Sequence, residues 1–214
     1  MKRMAALILA AMLCCLCFSA QGAEKLVSYT HPTCGYTLRR PPEWLLVDAA
    51  NVDGYIEAYQ SGALKHGAAD AEYLTQMAPI LHADDSVVML DLNGNYLQLI
   101  CYPISVKMTL EQFMWTVLPG VLEEMKAYYP DGEYLTDGEI VDYGDNRYAL
   151  LSVNFKDEDG MPYCEDWLFL LEAGYIMEVY ICAQELINPQ RTKEFYAQAR
   201  KVLASIAFPV PAAE

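Results

Sequence analysis

The stretch Glu139–Cys182, EIVDYGDNRYALLSVNFKDEDGMPYCEDWLFLLEAGYIMEVYIC, decides how this chain folds. Its runs of Val, Ile, Leu, Tyr and Phe are cut by Gly144-Asp145-Asn146, by Asp157-Glu158-Asp159-Gly160 and by Glu172-Ala173-Gly174. Apolar and aromatic runs bounded by Gly, Asn and Asp clusters read as strands joined by turns. The spacing predicts strands over Glu139–Tyr143, Arg147–Lys156, Met161–Leu171 and Tyr175–Cys182. Loops this short join antiparallel neighbours, because a parallel pair needs a long crossover. The segment is an antiparallel meander.

The last turn sets a register. With Gly174 as the left-handed residue of a three-residue loop, Leu171 faces Tyr175 and Cys164 faces Cys182. Trp167, Phe169 and Leu171 then share an apolar face with Val179, Met177 and Tyr175. Cys164 and Cys182 are the expected disulfide, although four cysteines beyond the leader can pair in three ways. A slip of one residue would separate them.

Upstream, Ser86–Pro103 carries Asn93-Gly94 between two strand-like runs, a strong hairpin signal. Taken as a two-residue turn, it sets Leu90 against Leu97 and Val88 against Leu99. Thr109-Leu-Glu-Gln112 fits a capping box and opens a helix that runs to Tyr129. Leu110, Phe113, Met114, Val117, Leu118, Val121, Leu122 and Met125 recur at helical spacing, with Pro119-Gly120 marking a kink or brief break. Asn188-Pro189 opens a final helix, whose stripe is Phe195, Ala199, Val202 and Ile206. Between Trp44 and His82, two helical faces are legible: Val52, Tyr55, Ile56 and Tyr59, then Tyr73, Leu74, Met77 and Leu81. Gly54, Gly62, Gly67 and Pro79 weaken both.

The chain begins MKRMAALILAAMLCCLCFSAQGA. Lys2 and Arg3 precede an uncharged apolar run ending at Phe18, and small residues follow. This is the pattern of a secretory signal peptide over 1–23, shorter than the roughly 20 apolar residues of a spanning helix. Cys14, Cys15 and Cys17 lack the small preceding residue of a lipidation site. Residues 24–208 read as a single α+β domain and 209–214 as a mobile tail. Loss of Lys2 and Arg3 deepens the net charge from −15 to −17. Such acidity excludes nucleic acid, whose phosphates demand Lys and Arg. No stable membrane span is expected once the leader is removed.

The extended Cys34-Gly-Tyr-Thr-Leu-Arg-Arg-Pro-Pro-Glu-Trp44 resembles the opening of PsbP-like domains, a group with many secreted bacterial members. Phe195 and Val202-Leu-Ala-Ser-Ile-Ala-Phe208 resemble that group's closing helix and finish, and the middle helix and final meander also fit. The inserted stretch 50–81 is a departure. The resemblance implies an antiparallel sheet of about six to seven strands, packed between helices. It implies no catalytic residues and a function in binding other proteins. Tyr36, Trp44, Phe113 and Trp167 are the expected core anchors.

Candidate chemistry is sparse. His82-Ala-Asp84-Asp85 offers one imidazole beside acids, and the remaining histidines are His31 and His66. Asp157, Glu158 and Asp159 offer carboxylates to calcium, the one cofactor the sequence suggests, but without the ligand order of an EF-hand. Asp91-Leu-Asn93-Gly94-Asn95 hints at the same ion, although its turn already explains Asn-Gly. Tyr128, Tyr129, Tyr163, Tyr175 and Tyr180 offer rings to a carbohydrate or peptide, or simply to sheet packing. No nucleophile elbow, zinc-protease helix or phosphate loop is present. The expectation is an exported, non-catalytic domain that binds an envelope or secreted protein. A small-ligand carrier or sensor is the alternative, and an enzyme with acid or thiol chemistry ranks third.

Overall fold

The computed structural model describes residues 25–64, 71–184 and 189–209. Residues 1–24 and 210–214, which include the expected signal peptide and most of the expected tail, lie outside the described residues, as do His66 and Asn188. Among the described residues, nine strands and five helices follow in the order β1 (Val27–Thr30), β2 (Thr37–Arg40), β3 (Leu45–Asp48), α1 (Val52–Gln60), α2 (Ala71–Asp84), β4 (Val87–Leu90), β5 (Tyr96–Pro103), α3 (Leu110–Thr116), α4 (Leu118–Tyr128), β6 (Glu133–Tyr143), β7 (Asn146–Lys156), β8 (Pro162–Glu172), β9 (Tyr175–Gln184) and α5 (Pro189–Ala204). β3 to β9 form one antiparallel sheet in the order β3-β4-β5-β9-β8-β7-β6, and β1 pairs with β2 in a separate hairpin. The fold is α+β, with helices on both faces of a seven-stranded sheet. Among the described residues no helix is long and apolar enough to cross a membrane.

Both faces of the sheet are apolar because both are covered. On one, Leu97, Leu99, Leu168, Leu170, Val179 and Ile181 pack beneath α5 and the β1–β2 hairpin. On the other, Leu151, Val153, Trp167 and Phe169 meet Leu110, Phe113, Leu118 and Met125 of α3 and α4. Farther along that face, Val88 and Leu90 meet Val52, Leu74 and Leu81 of α1 and α2. The inserted stretch is therefore a helix pair roofing the β3–β4 end of the sheet, and Pro79 sits inside α2. The helical stripes follow from this packing, since an amphipathic helix gains most of its stability from its buried face.

The capping box at Thr109 is present in full, with Gln112 N–H donating to the Thr109 hydroxyl and Thr109 N–H to the Gln112 side chain. The helix breaks at Val117, between α3 and α4, just before Pro119. β6 carries register shifts on either side of Thr136, and Gly138 stands there at φ +127°. A Cβ on Gly138 would lie 2.8 Å from the Leu118 side chain, so its absence lets α4 sit close to β6.

Both hairpin registers differ by one residue from those expected. In β4–β5, Leu90 opposes Tyr96 and Met89 opposes Leu97. The loop holds three residues between Asp91 and Asn95, because the Asp91 carboxylate accepts the backbone N–H of Asn93 at 2.7 Å and of Asn95 at 3.0 Å. In β8–β9, Glu172 opposes Tyr175 across a two-residue loop. Ala173 and Gly174 both have positive φ, +51° and +84°, as a type I′ turn demands. Cys164 therefore opposes Ala183, and Cys182 opposes Glu165. The expected Cys164–Cys182 bond is corrected: in this register the two side chains leave opposite faces of the sheet.

The turn makes a prediction. An L-residue other than Asn, Asp or Gly disfavours the left-handed region. Ala173→Asn should therefore raise stability by about 0.5–1 kcal/mol, read as an increase in the urea midpoint. A three-residue loop with Ala173 at negative φ would show no gain.

Candidate functional site

The residues singled out from the sequence lie in different settings. Trp44, Tyr36, Trp167 and Phe113 are all buried. Trp44 stacks on Phe195, and Tyr36 stacks on His31. Asp157 spends its carboxylate on its own turn, accepting the N–H of Asp159 at 3.0 Å and of Met161 at 2.8 Å, while Glu158 and Asp159 stay exposed. Asp91 likewise serves its loop. His82 lies 3.5 Å from Asp53 at the surface. Among the described residues no group of three or more His, Cys, Asp or Glu side chains is placed to hold a metal ion. The tyrosines do not share one surface. Tyr175 packs on Phe208 under the α5 layer, whereas Tyr180 meets Trp167 edge-on across the sheet.

The sequence reading missed Glu165, although strand alternation alone sets it on the same face as Trp167 and Phe169. Glu165 is 5% exposed, on the face covered by α3 and α4. Its carboxylate accepts the Tyr129 hydroxyl at 2.9 Å and the Trp167 indole N–H. Burial raises its pKa, against the opposing pull of these donors and of the Cys182 thiol. Its neighbour Asp166 points to the other face, accepts the Ser152 hydroxyl, and is also raised by burial. Burial likewise pushes up the Cys34, Cys101 and Cys182 thiols, which keeps them in the poorly nucleophilic protonated form.

Two concave surfaces flank this interior. One is an open cleft of about 620 Å³ beside Tyr129, lined by Tyr128, Asn154, Phe155, Lys156 and Pro162. Tyr129 stacks on Phe155 at 4.3 Å and Phe155 on Tyr163 at 5.5 Å, so these rings are held by one another. The other is a smaller apolar groove of about 240 Å³ between the segment after β5 and the α3–α4 junction. Pro103, Ile104, Val106, Met108, Val117 and Ile176 line it. Val106 is 63% exposed, and Trp115, two residues before Val117, is 84% exposed. Nothing in the described packing requires a tryptophan there, in contrast to Trp44.

No protein-family model matches the chain, and no curated protein matches it in sequence. Solved structures do match. The solution structure of cyanobacterial PsbP (CyanoP) from Synechocystis superimposes with a TM-score of 0.52 at 16% identity, over 89% of this chain and 96% of that one. LpqN of Mycobacterium tuberculosis, described as involved in cell envelope biogenesis, matches with a TM-score of 0.47 at 10% identity, over 86% of this chain and 91% of that one. The Ran-binding protein Mog1p of Saccharomyces cerevisiae also scores 0.47, at 9% identity, over 87% and 96% of the two chains. The two stretches that carried the sequence resemblance meet in space. Thr37 exchanges backbone hydrogen bonds with Ala207, Arg39 N–H donates to the Ser205 hydroxyl, and Trp44 lies on Phe195. With its seven-stranded antiparallel sheet packed against helices and closed by these contacts, the chain has a PsbP-like fold.

Proposed function

We propose that this chain is an exported, non-catalytic interaction domain that binds another envelope or secreted protein through the apolar groove at the α3–α4 junction. The observation that carries the reading is the apolar lining of this groove, where Val106 stands 63% exposed and Val117 36% exposed. An exposed apolar depression of this kind is a feature of protein interaction surfaces. The charged apolar leader supports export. The buried, protonated thiols and the fully bonded Glu165 support a structural rather than a catalytic role. A second reading, a small-ligand carrier, is favoured by one feature. The open cleft includes Asn154, whose Oδ1 is buried without a hydrogen-bond partner.

Tagged protein cross-linked in its own cells and isolated under denaturing conditions separates the two. Val106→Asp places a charge in the groove and should reduce capture of the partner by about tenfold or more. Glu158→Ala, in the exposed β7–β8 turn, should leave capture unchanged. Equal capture by both variants would move the reading to the cleft.

A further inference from the structure

Cys34 lies in the loop between β1 and β2, and Cys101 lies on β5 near the middle of the large sheet. Both enter the core layer under α5, at 8% and 9% exposure. The Cys34 thiol donates toward the Cys101 carbonyl oxygen, 3.8 Å away, which sets the Cys34 side chain against residue 101 of β5.

The loop is held in this place. His31 is 2% exposed and accepts the backbone N–H of Thr33 and Cys34 at Nδ1, at 3.3 and 3.1 Å. Nδ1 as acceptor puts the ring proton on Nε2, which then donates to the Asp85 carbonyl at 2.9 Å. The neutral imidazole thus ties the loop to the segment entering β4, and Gly35 N–H and His31 N–H close the loop on itself. Cys34 is aimed at β5 by a fixed backbone.

We propose that Cys34 and Cys101 form a disulfide in the oxidised protein, fastening the β1–β2 hairpin to the seven-stranded sheet. The hairpin is otherwise joined to the rest of the fold by its pairing with Ala207, by hydrogen bonds such as those of His31 to Asp85 and Arg39 to Ser205, and by side-chain packing. Cys164 and Cys182, on opposite faces of the sheet, are not placed to bond each other. The reaction removes two protons and two electrons from the two thiols and makes one S–S bond. The oxidant is a low-molecular-weight or protein disulfide, which passes through a mixed disulfide and leaves as two thiols. Burial keeps both sulfurs protonated in the folded state, so exchange takes place during folding, before the His31 loop closes. The bond spans 67 positions, and closing so long a segment constrains the unfolded chain strongly. This cross-link does not depend on the identity of any partner.

The test is peptide mapping of protein made from the full chain. The protein is unfolded and refolded in a mixture of reduced and oxidised glutathione, then denatured and alkylated without further reduction. The expected result is a linked peptide pair carrying Cys34 and Cys101, with Cys164 and Cys182 alkylated. Dithiothreitol should then lower the melting temperature of the wild type by several degrees and leave that of Cys101→Ser unchanged. Alkylation of all four of these cysteines, or a linked pair that includes Cys164 or Cys182, would overturn the proposal. The wild-type map decides the matter even where Cys101→Ser fails to fold.

Discussion

Trp44→Ala should cost about 3–5 kcal/mol and lower the melting temperature by roughly 10 °C or more, measured by thermal and urea unfolding. Trp44 is 2% exposed, its ring stacks on Phe195 with centroids 5.2 Å apart, and its indole N–H donates to Gln198 at 3.1 Å. Truncation opens a cavity where the chain entering β3 meets α5 and leaves the Gln198 oxygen without its donor. The loss is a large part of the 5–15 kcal/mol that holds a typical domain folded. Trp115→Ala removes the same atoms from an 84% exposed site and should change stability by no more than about 0.5 kcal/mol. Equal effects of the two substitutions would show that Trp44 is not the anchor joining the opening stretch to the closing helix.

The second large effect is at Glu165. Glu165→Ala leaves the Tyr129 hydroxyl and the Trp167 indole N–H without an acceptor, at about 1–3 kcal/mol for each buried donor. Glu165→Gln keeps an acceptor and the side-chain shape, and should lose much less. The pH dependence separates the variants further. The folded pKa of Glu165 is raised by burial, so between the ordinary carboxylate range and that raised value the folded state binds more protons than the unfolded state. Stability should therefore fall as pH rises through this window and stay reduced above it. Asp166, also raised by burial, acts in the same direction. Glu165→Gln should show a shallower decline in urea midpoint than the wild type, with the remainder assigned to Asp166. A wild-type midpoint that rises with pH across the window would contradict the burial of both carboxyls.

The parts of this fold that rest on local rules were legible. The meander came from strand runs and their turn residues, the α3 start from Thr109 and Gln112, and α1 and α2 from their apolar stripes despite Gly54 and Pro79. The registers were not legible, for two separable reasons. Ala173 adopts a left-handed conformation that nothing in its side chain favours. Asp91 draws the Asn93 and Asn95 amides onto its carboxylate and so lengthens a loop that Asn-Gly alone would keep at two residues. Each effect moves its hairpin by one residue, which is enough to exchange faces. Everything that depends on facing positions moved with them. Cys164 parted from Cys182, and Cys182 came to oppose Glu165. The Cys34 contact crosses from the hairpin to the sheet, a long-range placement that no spacing in the chain encodes.

The apolar groove was beyond the sequence for a similar reason. Val106 and Val117 are unremarkable in a chain that is 54% hydrophobic, and only the break between α3 and α4 sets them at one surface depression. Its role in binding is tested most directly by a photo-reactive amino acid at position 106, irradiated in the native cells, with position 158 as the control. The account predicts one discrete cross-linked adduct from position 106 and none from position 158. No adduct at position 106, or the same adducts from both positions, would contradict it.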